Sequence, residues 1–463
     1  MRNVHMSAIV LLMLSACGGG SDGSGGGEAV TLPVTSVPSV SPTSAPTPAP
    51  SVTATPAPTA VTGTGSIGTS GINPFATFDY QNGTAFPSKP TVNILDAVVR
   101  PGDAFAYVPV QLSASAPTSV IVELGTRNGS GDKYAVSGSD YETTNGSLVF
   151  RIGDPLVQTF KVPLKGIGDG EHFEVLLVSE PSGGKRGDGN GKISASTSAT
   201  RTKEQSSGFR APHRFKPKSV RFEMSGRNLK YSAQGGADSF ASQLAHGRTQ
   251  DGNQETGLYV DDSFAGIEKP IFASGDDIVL HSQQFSEAVV HDSRLFEHGA
   301  AVLSGHRTTA SQIVYGQYEW VAKMPDRRES WPALWMISTN GWPPEIDVYE
   351  GFGYDASFDF NKHLTHALHG GKNNQRSFVM HGRYDASRTY GKSGFANEYH
   401  SYAVDIDKSY ITWFVDGDEV FQSVNPFAGT EWYPIMNVAV KDGGSYDGGS
   451  GDMRIRSFKV YGN

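Results

Sequence analysis

WPALWMISTNGWPPEIDVYEG, running from Trp331 to Gly351, places three carboxylates, Glu345, Asp347 and Glu350, within six residues. Glu345-Ile346-Asp347-Val348 alternates acidic and apolar residues, and the apolar ones are β-branched. That pattern predicts a strand with one buried face. At a period of two, Glu345 and Asp347 share the other face. Glu350 has the wrong parity to join them unless the Val348-Tyr349 step holds one extra residue. A β-bulge supplies such a residue, and bulges are over-represented beside active sites. With the bulge in place, all three acids line one face of a sheet.

The spacing then acquires a chemical meaning. Two glutamates four strand positions apart have backbones separated by ~13 Å. Long side chains leaning towards each other bring the carboxyl groups to about 5 Å, the separation used by retaining glycosidases. In that chemistry one carboxylate attacks the anomeric carbon and the other shuttles the proton. Asp347 between them would hydrogen-bond the nucleophile and tune the set through like charge. By itself the triplet decides little. Acids are 47 of 463 residues, so three at fixed spacing arise by chance roughly 0.5 times in such a chain, and a solvated strand face is the alternative.

The flanking sequence settles the matter differently. Glu345-Ile346-Asp347-Val348-Tyr349-Glu350 resembles the bulged signature of glycoside hydrolase family 16. Tyr315-Gly316-Gln317-Tyr318-Glu319-Trp320, Lys323-Met324-Pro325 and Trp331-Pro332-Ala333-Leu334-Trp335 resemble that family's approach to its site. Downstream, Tyr399 to Val404, Ile411 to Gly417, Pro434 to Val440 and Phe458 to Tyr461 match in order. The resemblance implies an all-β fold, a β-jelly-roll of two stacked sheets with a substrate cleft along the concave face. It implies Glu345 as nucleophile, Glu350 as general acid/base and Asp347 as the assisting residue.

A sugar-binding cleft needs flat apolar surfaces, because sugar rings present C–H faces that pack on aromatics. Trp331, Trp335 and Trp342 are the candidates, with at least one of them expected in the core instead. Asn253, Glu255 and Tyr259 resemble the family's segment on the glycone side, and His369 resembles a strand histidine that points at the site near the acid/base. Asn437 reads equally as a cleft hydrogen-bonder or a core amide. Many family members hold a calcium with an aspartate of the last strand. Here that strand reads Met453-Arg454-Ile455-Arg456-Ser457-Phe458, so neither a metal nor another cofactor is expected.

Substrate is read less sharply. Asn340-Gly341-Trp342-Pro343-Pro344 looks closest to bacterial exopolysaccharide and β-glucan glycanases. Arg327, Arg328, Lys372, Arg376 and Arg383 keep a charged galactan of the agar or carrageenan kind in view, although such charges also suit a solvated rim. A transglycosylase using the same site and a non-catalytic glycan-binding lipoprotein are the remaining alternatives. Nucleic acid is disfavoured by the net charge of −9, and no glycine-rich phosphate loop opens a helix.

Outward from this region, the chain divides into further parts. Met6 to Ala16 is apolar but too short to span a bilayer. It ends in Leu14-Ser15-Ala16-Cys17, which holds the only cysteine and resembles a lipoprotein signal. A lipid on Cys17 would anchor the protein in a bacterial cell envelope. Residues 18–86 are rich first in Gly and Ser, then in Pro, Thr and Ser, and read as a disordered tether. Residues 87–196 show short alternating strands separated by turn residues, which predicts a smaller β-sandwich. Gly138-Ser139-Asp140-Tyr141, Gly146 to Phe150 and Glu171 to Val175 resemble a Calx-beta domain, for which a spacer role is expected. Gly183 to Ser207 reads as linker composition, with the linker drawn at 197–208 and the catalytic domain at 209–463. A monomer acting on a polysaccharide is the expected state.

Overall fold

The computed structural model describes residues 88–205, 213–372, 375–385, 394–441 and 451–462, giving only the strand path for 372 and 375–385. Cys17 and the tether at 18–86 lie outside the described residues. About half of the described residues lie in strands, and the only helical turns among them are Asp251–Asn253 and Thr309–Ser311.

The N-terminal β region pairs a four-stranded sheet with a five-stranded one. Alternation drives it: in Phe105–Leu112 the side chains of Ala106, Val108, Val110 and Leu112 are buried. They meet Val122, Phe173 and Val175 of the facing sheet in one apolar core. Tyr141 stacks on Phe173 with ring centroids 4.2 Å apart, and its hydroxyl donates to Asn128 Oδ1. Asn190–Ala195, inside the stretch expected from its composition to be linker, is instead a strand. It is hydrogen-bonded between Ala97–Val99 and His172–Leu177. Its Ile193 is fully buried, and glycine and lysine at neighbouring positions masked the period-two pattern.

Eight strands of the C-terminal region frame the candidate site: β1 (Arg294–Ser304), β2 (Ser330–Ser338), β3 (Glu345–Glu350), β4 (His363–Lys372), β5 (Gln375–Asp385), β6 (Tyr410–Val415), β7 (Asp418–Val424) and β8 (Trp432–Val440). Strands β1, β8, β2, β3, β4 and β5 lie side by side, in that order, in a ten-stranded sheet. An eight-stranded sheet ends in β6 and β7 after Gly316–Lys323 and His400–Ile406. The two sheets enclose the main core between them, forming a jelly-roll sandwich. From one sheet come Tyr318, Trp320 and Trp413; from the other come Leu334, Met336, Ile346 and Leu368. Tyr318, Trp320 and Phe458 stack nearly parallel, with centroids 5.2 to 6.1 Å apart. On the last strand, Arg454 and Arg456 form ion pairs with Asp452 and Asp277.

The N-terminal region reaches the edge of the eight-stranded sheet. Val424 N–H donates to Pro117 O (2.8 Å), and Ser119 N–H donates to Gln422 O (2.8 Å). Three residues of one β region thereby extend β7, the terminal strand of the other. Beside them, Arg151 Nε lies 3.3 and 3.4 Å from the two carboxylate oxygens of Glu419. Both side chains are almost completely buried.

Candidate active site

Strand register sets out the site in rows across the concave sheet. Thr365, Glu350, Ala333, Asn437 and Val302 form one row. Ala367, Asp347, Trp335 and Ile435 form the next, then His369, Glu345, Ile337 and Tyr433. Between the first two rows, β3 holds one residue more than either neighbour. Against β2, Tyr349 pairs with Leu334 and Asp347 with Trp335, so Val348 is extra. Against β4, Asp347 pairs with Ala367 and Glu350 with Thr365. This is the bulge that the parity of the acids demands. Ile346, Val348 and Tyr349 are all fully buried in the core, and Glu345, Asp347 and Glu350 line one recess of about 520 Å³, its mouth included.

The three tryptophans line that recess together. Trp331, 8% exposed, also belongs to a buried apolar cluster with Phe352 and Phe358, so it serves core and recess at once. Trp331, Ala333 and Trp335 alternate along β2 and face the recess, whereas Leu334 and Met336 face the core. Each indole is fixed by its N–H. Trp331 Nε1 donates to Glu350 Oε1 (3.3 Å), Trp335 Nε1 to Asn437 Oδ1 (2.7 Å), and Trp342 Nε1 to Glu345 Oε2. Ala333, the small residue between two of them, leaves the floor open beside Glu350.

Burial governs the electrostatics. Desolvation, reinforced by the charge of Asp347, pushes the Glu345 carboxyl up to about 8. Asp347, 2% exposed, is raised well above the usual carboxylate range by burial and then by the Glu350 charge. Glu350 is raised to about 7 by burial, with His369 opposing and Glu345 adding to the rise. Three buried carboxyls this close cannot all carry charge at neutral pH. An indole N–H has no acceptor capacity, so the bond from Trp342 favours the ionised form of Glu345.

His369 is brought into the site. It lies across from Glu345 in register, with Nε2 3.1 Å from Asp347 Oδ2 and 3.8 Å from Glu345 Oε1. It lines the same recess as Glu350, and its charge also acts on that carboxyl. The row position follows from β-pairing, which no local motif reveals. Glu345, Asp347 and His369 could also offer one ligand atom each to a metal.

At the other end, the Asp251–Asn253 turn presents Asn253, whose Nδ2 donates to Glu255 Oε1 (3.3 Å). Tyr259 O–H donates to Glu255 Oε2 (2.8 Å), and Asn437 Nδ2 donates to Tyr259 Oη (3.2 Å). A continuous chain of hydrogen bonds thus links Trp335, Asn437, Tyr259 and Glu255. Asn437 belongs to the recess, not the core. Burial raises Glu255 to about 7, against the pull of its bonds from Tyr259 and Asn253.

Of the basic residues considered for a charged galactan, Arg327 and Arg328 bond to backbone carbonyls. Arg327 Nη1 donates to Ser282 O, and Arg328 Nη1 to the carbonyls of Asp355 and Phe358. The side chains of Lys372, Arg376 and Arg383 lie outside what is described. Sequence reasoning missed Gln250, which lines the recess. It also missed His366 and Trp413, which support β3 from the core side. Gln250 stands in a polar loop with no distinguishing pattern, and the other two read as ordinary core positions.

Comparison with known proteins bears on this arrangement. Residues 274–460 match the family model described as glycosyl hydrolases family 16. An endo-1,3-1,4-beta-glycanase of Rhizobium meliloti is 25% identical over 223 residues, covering 46% of this chain and 45% of that protein. A beta-glucanase of Rhodothermus marinus is 31% identical over 157 residues, 30% of this chain and 51% of that one. The chain thus spans only about half the length of these relatives. Among solved structures, the catalytic domain of an endo-1,3-beta-glucanase (laminarinase) from Thermotoga petrophila is 22% identical with a TM-score of 0.43. It covers 53% of this chain and 98% of that one.

Proposed function

Given that residues 274–460 are a domain of glycoside hydrolase family 16, we propose that this protein is a retaining endo-β-glycanase acting on β-1,3- or mixed β-1,3-1,4-linked glucan. The observation that carries the reading is the bulge in β3, which sets Glu345, Asp347 and Glu350 on one face of a tryptophan-floored recess. Glu345 attacks the anomeric carbon in the form of the site whose shared protons lie on Asp347 and Glu350; the Trp342 N–H supports its charge against the burial that pushes its carboxyl up to about 8. Glu350 keeps its proton at mildly acidic pH, delivers it to the leaving oxygen, and then takes one from the incoming water. Trp331, Trp335, Trp342 and Asn253 contact the sugars, with His369 tuning the acid pair.

The relatives named above, which include a β-1,3-1,4-glycanase and a β-glucanase, favour a neutral glucan. We further propose that Cys17 carries a lipid that holds the enzyme at the cell envelope; loss of radiolabelled palmitate from the Cys17→Ser chain tests this.

The functional test incubates the full chain and its Glu345→Gln variant with laminarin, lichenan, xyloglucan, agarose and carrageenan. Short oligomers released from laminarin or lichenan by the parent alone are the expected result, and NMR of the first product should show retained anomeric configuration. Initial inversion, or cleavage of agarose or carrageenan only, sinks the proposal. Products longer than the supplied chains indicate transglycosylation.

A further inference from the structure

The bulge that makes the site also displaces two backbone carbonyls, and side chains from outside the strand capture both. Val348 and Tyr349 together face a single residue of β4, His366. Val348 is fully buried, and a buried carbonyl left without a donor costs about 1–3 kcal/mol. The Val348 carbonyl accepts from His366 Nδ1 at 2.6 Å. The preceding carbonyl, that of Asp347, accepts from Trp413 Nε1 at 2.8 Å. Trp413 belongs to β6, so this bond crosses from the opposite sheet to the strand of acids.

Both donors are held firmly. His366 is 1% exposed and lies nearly parallel to Phe421, at a centroid distance of 6.3 Å and 15° between planes. Trp413, fully buried, sits 5.9 Å from the His366 ring and 5.3 Å from that of Phe421. Because a carbonyl oxygen only accepts, His366 carries its proton on Nδ1. Burial lowers its affinity for a second proton, to about 3, so the ring stays neutral from pH 5 to 8. Neither residue lines the recess.

We propose that His366 and Trp413 are positioning residues, whose hydrogen bonds to the carbonyls of Val348 and Asp347 hold the bulge in the register that aims Glu350 into the recess with Glu345. A regular strand would turn Glu350 towards the core, because one residue of slip reverses the face of everything beyond it. The proposal builds on the glycanase reading above, since the two glutamates are taken as its reacting pair.

Three variants of the full chain test it. His366→Leu removes the donor at similar volume, and His366→Asn places an amide N–H near the position of Nδ1. Trp413→Phe removes the other donor and keeps the aromatic packing. A misplacement near 1 Å costs about 10²-fold in rate, so His366→Leu should lower kcat on laminarin by about that factor. KM should stay within about 2-fold, because the tryptophan floor is untouched. His366→Asn should recover most of kcat, and Trp413→Phe should show the same kcat-selective loss. A folded His366→Leu with parental kcat overturns the proposal, as does a folded His366→Asn no better than the leucine variant. Should His366→Leu not fold, Trp413→Phe decides, and a parental kcat there is equally fatal. Independently of activity, 15N NMR of labelled histidine should assign to His366 an Nδ1-protonated ring that does not titrate between pH 5 and 8. An Nε2-protonated or titrating ring overturns the positioning role. A parent inactive on every glycan, with that NMR signature intact, removes the glycanase reading and leaves the bulge support standing.

Discussion

Burial leaves the charges of Glu345 and Glu350 without water and pushes the two carboxyls up to about 8 and 7, so the buried set as a whole keeps more protons at neutral pH than exposed carboxyls would. Their folded values lie above the ordinary glutamate value near 4.5. Between that value and about pH 8 the native state therefore binds more protons than the unfolded chain. Stability contributed by these groups is fully present below about pH 4.5 and falls as pH rises through 7 and 8. Glu345→Gln removes one such group, so its Tm relative to the parent should rise steadily from pH 5 to 8; a pH-independent difference contradicts the assignment. Activity follows the acid. kcat/KM should decline as pH rises through about 7, where Glu350 of the free enzyme loses its proton. Glu350→Gln should lower kcat on polymer by about 10²- to 10⁴-fold. With an aryl glycoside whose leaving group needs no proton, glycosylation should be largely spared, and burst kinetics would report it.

At the scale of elements, β3 is decided by one extra residue. Deleting Val348 leaves Glu345-Ile346-Asp347-Tyr349-Glu350, a strict alternation that keeps all three acids on the recess face without a bulge. The deletion should therefore retain glycan cleavage while lowering Tm, because the core loses the fully buried Val348 side chain. Val348→Ala, which keeps the count, should also retain activity, with only a modest loss of stability. A folded deletion variant without activity would show that the bulge does more than set the parity of Glu350. Much of this was legible beforehand: the parity of three acids required the bulge, and alternation marked most of the N-terminal strands. Other features are set where local pattern is silent. Trp331 and Trp335 share a face because they are four residues apart on one strand, a consequence of β2 spanning all of Ser330–Ser338. His369 stands beside Asp347 because of register with β3, and Asn190–Ala195 is strand because two neighbours hydrogen-bond to it.

At the scale of the molecule, the N-terminal sandwich does more than space the catalytic region from a tether. Its Pro117–Ser119 segment occupies the edge of β7, and an uncovered edge strand is a template for aggregation. Arg151 neutralises Glu419 at the same contact, with His213 Nδ1 3.3 Å from that carboxylate. Removing one partner of a buried pair costs about 3–5 kcal/mol, whereas replacing both with apolar residues is often neutral. Urea unfolding of the full chain should therefore find Arg151→Met destabilised by about that amount, and Arg151→Met with Glu419→Leu close to the parent. Equal losses in the single and double variants would mean that the pair does not bind the two regions together.

The sequence by itself determined the fold class and the three acids on one face, since both follow from period-two patterning. It also marked the tryptophans and Asn253, whose residue types suit a sugar-binding surface. Only the tertiary structure decided which donors hold the bulge, where His369 stands, and how Glu255, Tyr259, Asn437 and Trp335 join into one chain. Those contacts join residues far apart in sequence, and strand register and sheet stacking bring them together. The same holds for the covered edge of β7, where Arg151 and Glu419 meet across 268 residues of chain.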